Sequence, residues 1–469
     1  MKSNHIILFT AFMLCVLAVS EMKAQSLEIK RNKSSFLYGA QASVTGDIKR
    51  QNGDFFPWKG NAEMAWNIVI PANEKYDLYL IAGVPEESEN LPLHFDIGNI
   101  SFEFPLHPTS GWVGGSSNFQ RIKIGSALSL PKGDQKLVLK TAGIMGDHVL
   151  FNLRSVEMVP LSALPAKEKD RKRAEAARAS TEWQVKAGYG LMFHWTSQSV
   201  NPDGTNKPYE QAVNEFDVTQ FANMVESTGA GYVIFTIGHA EQYCPAPIKS
   251  WEACHPGKTT QRDLIGEIAD ALNKKDIRFI CYLHSLGTAS FRRQSNQDFF
   301  KTFKGILTEI GNRYRQKIAG YWFDCWYQIF EGYPEIPFRD FYKITKTGNK
   351  DRIICLNSWI YPAVSPWQDY WAGETASPIS PPENGFLKEG CVTDLPYHVL
   401  LIMEPYWVQE KGEMPDPRFN ADELSDYIRK CSENGGAVTV NMGIYQNGAV
   451  GEKALQVMKD VKNQIRTSK

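Results

Sequence analysis

In the second half of this 469-residue chain, carboxylates and imidazoles recur at the ends of apolar runs, interleaved with tryptophan. His194 and Trp195 end the run 189–195, and His239 and Glu241 follow the run 231–237. His284 ends 277–284, Asp324 ends 318–324 with Trp326 just beyond, and Asn357 and Trp359 end 352–359. Glu374, Glu404, Trp407 and Asn441 stand further along the chain. Cleavage of a glycosidic bond needs this mixture: one carboxylate attacks or activates water, a second protonates the leaving oxygen, and aromatic faces hold a ring. No Cys-x-x-Cys or His-Glu-x-x-His pattern occurs, so neither a metal nor a cofactor is expected.

These residues can act together only if the elements that carry them converge. From residue 183 on, short apolar runs alternate with amphipathic stretches such as 218–228, 262–274 and 297–314. Strand followed by helix, repeated over this length, indicates a parallel α/β architecture, and a (β/α)8 TIM-like barrel collects the C-terminal ends of its strands at one mouth. A doubly wound sheet is the alternative, but no Gly-x-Gly-x-x-Gly turn follows the first run. Residues 25–160 differ: short β-rich segments separated by turns such as Pro71-Ala72-Asn73 and Pro131-Lys132-Gly133 indicate an antiparallel β-sandwich domain. Between the two, 161–182 is rich in Ala, Lys, Glu and Arg and is expected to be a charged helical linker. The barrel is expected to occupy 183–469.

The order of several segments carries a resemblance. Tyr189-Gly-Leu-Met-Phe-His194-Trp195, the stretch 221–239, Arg262-Asp-Leu-Ile-Gly-Glu267, Tyr321-Trp-Phe-Asp324 and Asn434-Gly-Gly-Ala-Val-Thr-Val-Asn441 resemble the successive signatures of α-L-fucosidases, glycoside hydrolase family 29. The resemblance implies retention of anomeric configuration, no catalytic metal, and the role of nucleophile for Asp324. For the acid/base it implies Glu374, in Asp369-Tyr-Trp-Ala-Gly-Glu374, as first choice, with Glu389 and Glu404 as alternatives. His194, Trp195, His239, Glu241, His284 and Trp407 are then candidates to bind the sugar. The sequence departs from the family at Gly238-His239-Ala240-Glu241-Gln242-Tyr243, where members usually carry Lys-His-His-Asp-Gly-Phe, so the second histidine is Ala240 here. Residues 66–83, 108–112 and 130–139 resemble carbohydrate-binding modules of the family 6 and 35 jelly-roll type.

The expected activity is therefore that of an exported retaining exo-glycosidase acting on a fucosylated or related oligosaccharide. The alternatives are a glycan-binding protein without turnover, and a retaining enzyme for another deoxy or galacto-configured sugar. Export is read from Lys2, the apolar stretch 6–19 and a small residue at Ala24, which together describe a signal peptide over 1–24 and a periplasmic or extracellular destination. The apolar stretch is shorter than the roughly 20 residues that span a bilayer. A formal net charge of -1 offers no field for nucleic acid or an anionic membrane. Seven of the 8 cysteines follow residue 240, where Cys244 and Cys254 could close a loop.

Overall fold

The protein was studied as a computed structural model that describes residues 26–51, 55–109, 119–143, 148–284, 295–332, 336–374, 378–387 and 390–466. The expected signal peptide, Trp112 and Glu389 lie outside the described residues.

The N-terminal domain is antiparallel and β-rich. Its strands are β1 (Leu27–Glu28), β2 (Ser35–Tyr38), β3 (Ser43–Ile48), β4 (Phe56–Ile70), β5 (Glu74–Gly83), β6 (Pro92–Ile97), β7 (Ile100–Pro105), β8 (Gln120–Leu130), β9 (Gly133–Thr141) and β10 (Phe151–Pro160). They follow the path β7-β6-β9-β4-β10-β5-β8, with β1 and β3 paired to β4 and β2 to β10. The two-residue period of a strand sets the core: Leu93, Phe95 and Ile97 of β6 meet Leu137 and Leu139 of β9 and Met64, Trp66 and Ile68 of β4 in one apolar cluster. Strand β10 is buried along its whole length. Phe151, Leu153, Val156 and Met158 enter that cluster, whereas Arg154, Ser155 and Glu157 are buried polar residues, with the pairing register shifting between Leu153 and Ser155. Arg154 forms an ion pair with Glu331 of the second domain.

The connecting segment is helical over Leu164–Ala177 and Glu182–Ala187. It is fastened along its length. Asp170 Oδ2 accepts from Trp367 Nε1 at 2.9 Å, the carbonyl of Ala177 accepts from Tyr342 Oη at 2.9 Å, and Arg178 Nη1 donates to the carbonyl of Asp394 at 2.6 Å.

The second domain holds a seven-stranded parallel sheet: β11 (Tyr189–Phe193), β12 (Tyr232–Gly238), β13 (Arg278–Leu283), β14 (Gly320–Phe323), β15 (Ile353–Leu356), β16 (His398–Ile402) and β17 (Ala437–Asn441). Their order is β15-β14-β13-β12-β11-β17-β16. Alternate residues divide into two layers. Leu191, Phe193, Val233, Phe235, Phe279, Cys281, Tyr321, Phe323 and Ile354 pack under helices such as Val218–Thr228 and Leu264–Asn273. Met192, Tyr232, Ile234, Ile280, Tyr282, Trp322, Ile353 and Cys355 form a separate inner cluster. Sheets covered on both faces read as continuous apolar runs, which is why these strands show no polar alternation.

Eight strands are expected from the sequence and seven are found among the described residues. Between the edge strands β15 and β16 runs an irregular segment that bonds to both. The N–H of Asp369 donates to the carbonyl of Ile354 at 2.8 Å, and that of Leu400 donates to the carbonyl of Gly373 at 2.9 Å. Glu374 makes an isolated parallel bridge with Leu400. Gly373, at φ +67°, allows this approach, since a Cβ there would lie 1.9 Å from the carbonyl oxygen of His398. Cys244 and Cys254, which could close a loop, are not linked: Cys244 is buried, Cys254 is exposed, and both thiols are free.

Candidate active site

Four strand ends meet over the inner cluster. Asp324 follows β14 and takes the inner face that Trp322 occupies two residues earlier; Asn357 follows β15 in the same register as Cys355. Asp324 Oδ2 accepts from the Tyr282 hydroxyl at 2.5 Å. Its Oδ1 accepts from Asn357 Nδ2 at 2.7 Å and from the backbone N–H of Cys325 at 2.7 Å. The second hydrogen of the same Asn357 amide goes to Glu374 Oε2 at 2.5 Å. The two carboxyl groups therefore present oxygens at most about 5.2 Å apart, because both lie against one nitrogen at 2.7 and 2.5 Å.

Sharing that site pushes the two acids in opposite directions. Burial raises the pKa of Asp324, but this is outweighed by the field of His284, the hydrogen bonds from Tyr282 and Asn357, and the field of His194, so the carboxyl sits below the usual aspartate range. Burial and then the charge of Asp324 push Glu374 up to about 8, against the opposing bond from Asn357. At neutral pH the pair thus holds one ionised and one protonated carboxyl.

A cluster of rings faces Asp324 from β11 to β13. The His194 ring lies 4.8 Å from Tyr282, 5.2 Å from Trp407 and 6.0 Å from His239, centroid to centroid. His194 Nδ1 bonds Asn441 Oδ1 at 2.7 Å, and burial brings its pKa down to about 4, so the ring is neutral with Nε2 left for a ligand. His239 Nδ1 is 3.4 Å from Glu241 Oε2, a bond that lowers the pKa of Glu241. The His284 ring lies 5.3 Å from His239, and its Nδ1 is buried without a partner among the described residues. His284, Asp324 and Cys325 bring three metal-ligand atoms within 4.8 Å of one another, although both Asp324 oxygens already accept hydrogen bonds.

Two expected site residues lie elsewhere. Trp195 shares a face with Leu191 and Phe193, so its ring packs in the outer layer against Phe235 and Phe216, and its Nε1 donates to the carbonyl of Gln446 at 2.9 Å. Counting in twos from Met192 selects His194 for the inner face and rejects Trp195. Glu404 is buried at the end of β16, where Oε2 accepts from the Gly443 N–H at 2.8 Å and Oε1 has no partner. It shares no hydrogen-bond partner with Asp324, in contrast to Glu374.

The role of Tyr282 as a donor to Asp324 is not read from the sequence. Its position two residues after Ile280 on an inner-facing register is the signal that finds it. One of the resembling segments proves architectural. Arg262 bonds Glu267 and the carbonyls of Val213, Asn214 and Phe216, while Asp263 caps the following helix. Gln242, where the family pattern has glycine, adopts φ +62° and ties its own side chain back to the carbonyl of His239 at 2.9 Å.

Comparison with known proteins places the chain in a family. The human tissue alpha-L-fucosidase is 37% identical over 142 residues, covering 24% of this chain and 30% of that protein. The crab-eating macaque (Macaca fascicularis) enzyme is 28% identical over a stretch of the same extent. The matched stretch thus spans about 30% of the length of these curated relatives. A crystal structure of an alpha-L-fucosidase from Bacteroides thetaiotaomicron superposes with a TM-score of 0.46 at 18% identity, covering 62% of this chain and 74% of that one. The family model for alpha-L-fucosidase matches residues 205–467, more than half of the sequence, and the chain belongs to the α-L-fucosidase family.

Proposed function

We propose that this protein is an exported retaining exo-glycosidase that releases terminal α-L-fucose. The observation that carries the reading is the Asn357 amide, which holds Asp324 and Glu374 within one hydrogen-bonded span while their protonation states differ. A carboxyl separation of about 5 to 5.5 Å suits a double displacement, whereas inversion needs room for a water between the groups.

Asp324, ionised, attacks the anomeric carbon as Glu374 gives its proton to the leaving oxygen. The glycosyl ester places one fewer charge beside Glu374, which then accepts a proton from the incoming water. The hydroxyl of Tyr282 and the backbone N–H of Cys325 keep Asp324 aimed through both steps. His194, His239, Glu241, His284 and Trp407 bind the sugar: the imidazoles accept from or donate to hydroxyls, the Glu241 carboxylate accepts from them, and the partly exposed Trp407 ring offers an apolar face. In this reading the segment through Glu374 closes the sheet into an eight-stranded barrel, and the N-terminal domain is of jelly-roll sandwich type. A signal peptide ending at Ala24 directs the chain to the periplasm or beyond, with Gln25 as the mature N-terminus.

Ala240 favours a second reading of the same mechanism. A fucose hydroxyl that loses its histidine partner costs about 1 to 3 kcal/mol, so the inner subsite is open to another deoxy or galacto-configured sugar. Hydrolysis of an aryl α-L-fucoside, compared among the intact protein, Asp324→Asn and Glu374→Ala, tests the proposal. Loss of turnover in the first variant and rescue of the second by azide, with a glycosyl azide of retained configuration, is the expected result. Turnover that survives Asp324→Asn overturns it.

A further inference from the structure

The loop after β15 carries more aromatic surface than the two carboxyls use. Trp359 adopts φ +56°, as does Cys325 directly after Asp324, a left-handed conformation that a large side chain takes only where its surroundings impose it. The backbone N–H of Trp359 donates to Asn357 Oδ1 at 3.1 Å. Its ring lies 5.9 Å from Tyr327, which sits on the helix Trp326–Gly332, and 6.3 Å from Phe55 of the N-terminal domain. From the same domain, Phe119 donates its N–H to the carbonyl of Ile360 at 2.8 Å and meets the Tyr361 ring edge-on at 4.8 Å. The Arg154 guanidinium lies 4.3 Å from the Tyr361 ring and 5.5 Å from the Tyr327 ring.

The assembly has a buried back and an open front. Phe55, Phe119, Ile360 and Tyr361 are buried, whereas Tyr327 and Trp359 remain partly exposed, Trp359 bonded through its N–H to the Asn357 side chain that touches both carboxyls. Its place in the sheet order separates it from the imidazoles: His194, His239 and His284 follow β11, β12 and β13, while Tyr327 and Trp359 follow β14 and β15 at the opposite side of Asp324.

We propose that Tyr327 and Trp359 form a stacking platform for the leaving group, the saccharide attached to the released sugar, and that the N-terminal domain is the rear wall of this subsite. The inference rests on the glycosidase reading. Glu374 protonates the bridging oxygen and touches Asn357, so the departing saccharide lies on the Asn357 side, where Trp359 stands two residues on. A pyranose presents C–H groups on its faces, and an aromatic pair backed by buried apolar side chains meets them without desolvating a polar group.

The test compares a fucosyl disaccharide with α-L-fucosyl fluoride, whose leaving group has no ring to stack. For Trp359→Ala, and separately Tyr327→Leu, kcat/KM for the disaccharide should fall about tenfold more than for the fluoride. Phe55→Ala, on the other domain, should skew the two substrates in the same direction. Equal losses on both substrates, or none, overturn the platform while leaving the hydrolase reading intact. Turnover of both substrates by Asp324→Asn, or no turnover by the intact protein, overturns the hydrolase reading and the platform with it.

Discussion

Asn357 Nδ2 lies 2.5 Å from Glu374 Oε2, and the same nitrogen donates to Asp324. A neutral amide between two acids lets them approach without both carrying charge. It also fixes the direction in which each carboxyl points. A hydrogen bond to a charged group contributes about 1.5 to 3 kcal/mol, so Asn357→Ala should lower kcat roughly 10- to 100-fold with a smaller change in KM. Steady-state kinetics on an aryl fucoside decides this. A KM effect with kcat unchanged would show that Asn357 serves only to bind substrate.

The opposed shifts of the two acids set the pH profile. In the proposed mechanism Asp324 must be ionised to attack; burial raises its pKa, but His284 and its hydrogen bonds outweigh this and lower it, so activity should persist into mild acid. Glu374 must be protonated, and burial with the nearby Asp324 charge puts its pKa at about 8, so kcat/KM falls as pH rises through that value. In Asp324→Asn the neighbouring charge is gone, and the residual alkaline limb, measured with an activated substrate and added azide, should move to lower pH.

Much of the site's position was readable because a parallel strand buried on both faces announces itself as an apolar run, and its end is marked by the first polar residue. Asp324, Asn357 and His194 follow that rule. Trp195 broke it because a tryptophan at a strand end looks like a sugar platform until its register with Leu191 and Phe193 is counted. Strand β16 follows a long irregular stretch with no helix before it among the described residues, so the alternation that marks the other strands is lost there, and the segment between β15 and β16 is held by single bonds rather than a ladder. The contact of Phe55 and Phe119 with the loop after β15 joins residues some 240 to 300 positions apart, which no local pattern encodes.

Glu404 makes a stability prediction separate from catalysis. Burial raises its pKa to about 7, with one oxygen bonded to Gly443 and the other unpartnered. Its folded pKa lies above the unfolded value, so the contribution of the protonated form is full below about pH 4.3 and is lost as pH rises through 7. Glu404→Gln removes that titration. The variant's melting temperature should therefore gain on the intact protein between pH 5 and 8 and then hold a constant difference. A pH-independent difference in calorimetry would show that Glu404 does not titrate in this range.

Under the proposed function, Ala240 is the position whose substitution tests the identity of the inner sugar. It is half-buried between His239, which leans on Glu241, and Gln242, which is turned to a left-handed backbone and tied to the His239 carbonyl. If fucose occupies the subsite, Ala240→His supplies a donor to one of its hydroxyls, and KM for an aryl α-L-fucoside should fall about 5- to 10-fold with kcat little changed, matching a neutral hydrogen bond of about 1 kcal/mol. If the subsite has been reshaped for another sugar, the imidazole fills space that sugar uses, and the substitution lowers kcat/KM for the native glycoside while improving the fucoside. Measuring both substrates on one variant therefore separates a weakened fucose site from a retargeted one, because the two cases move the ratio of kcat/KM values through different terms.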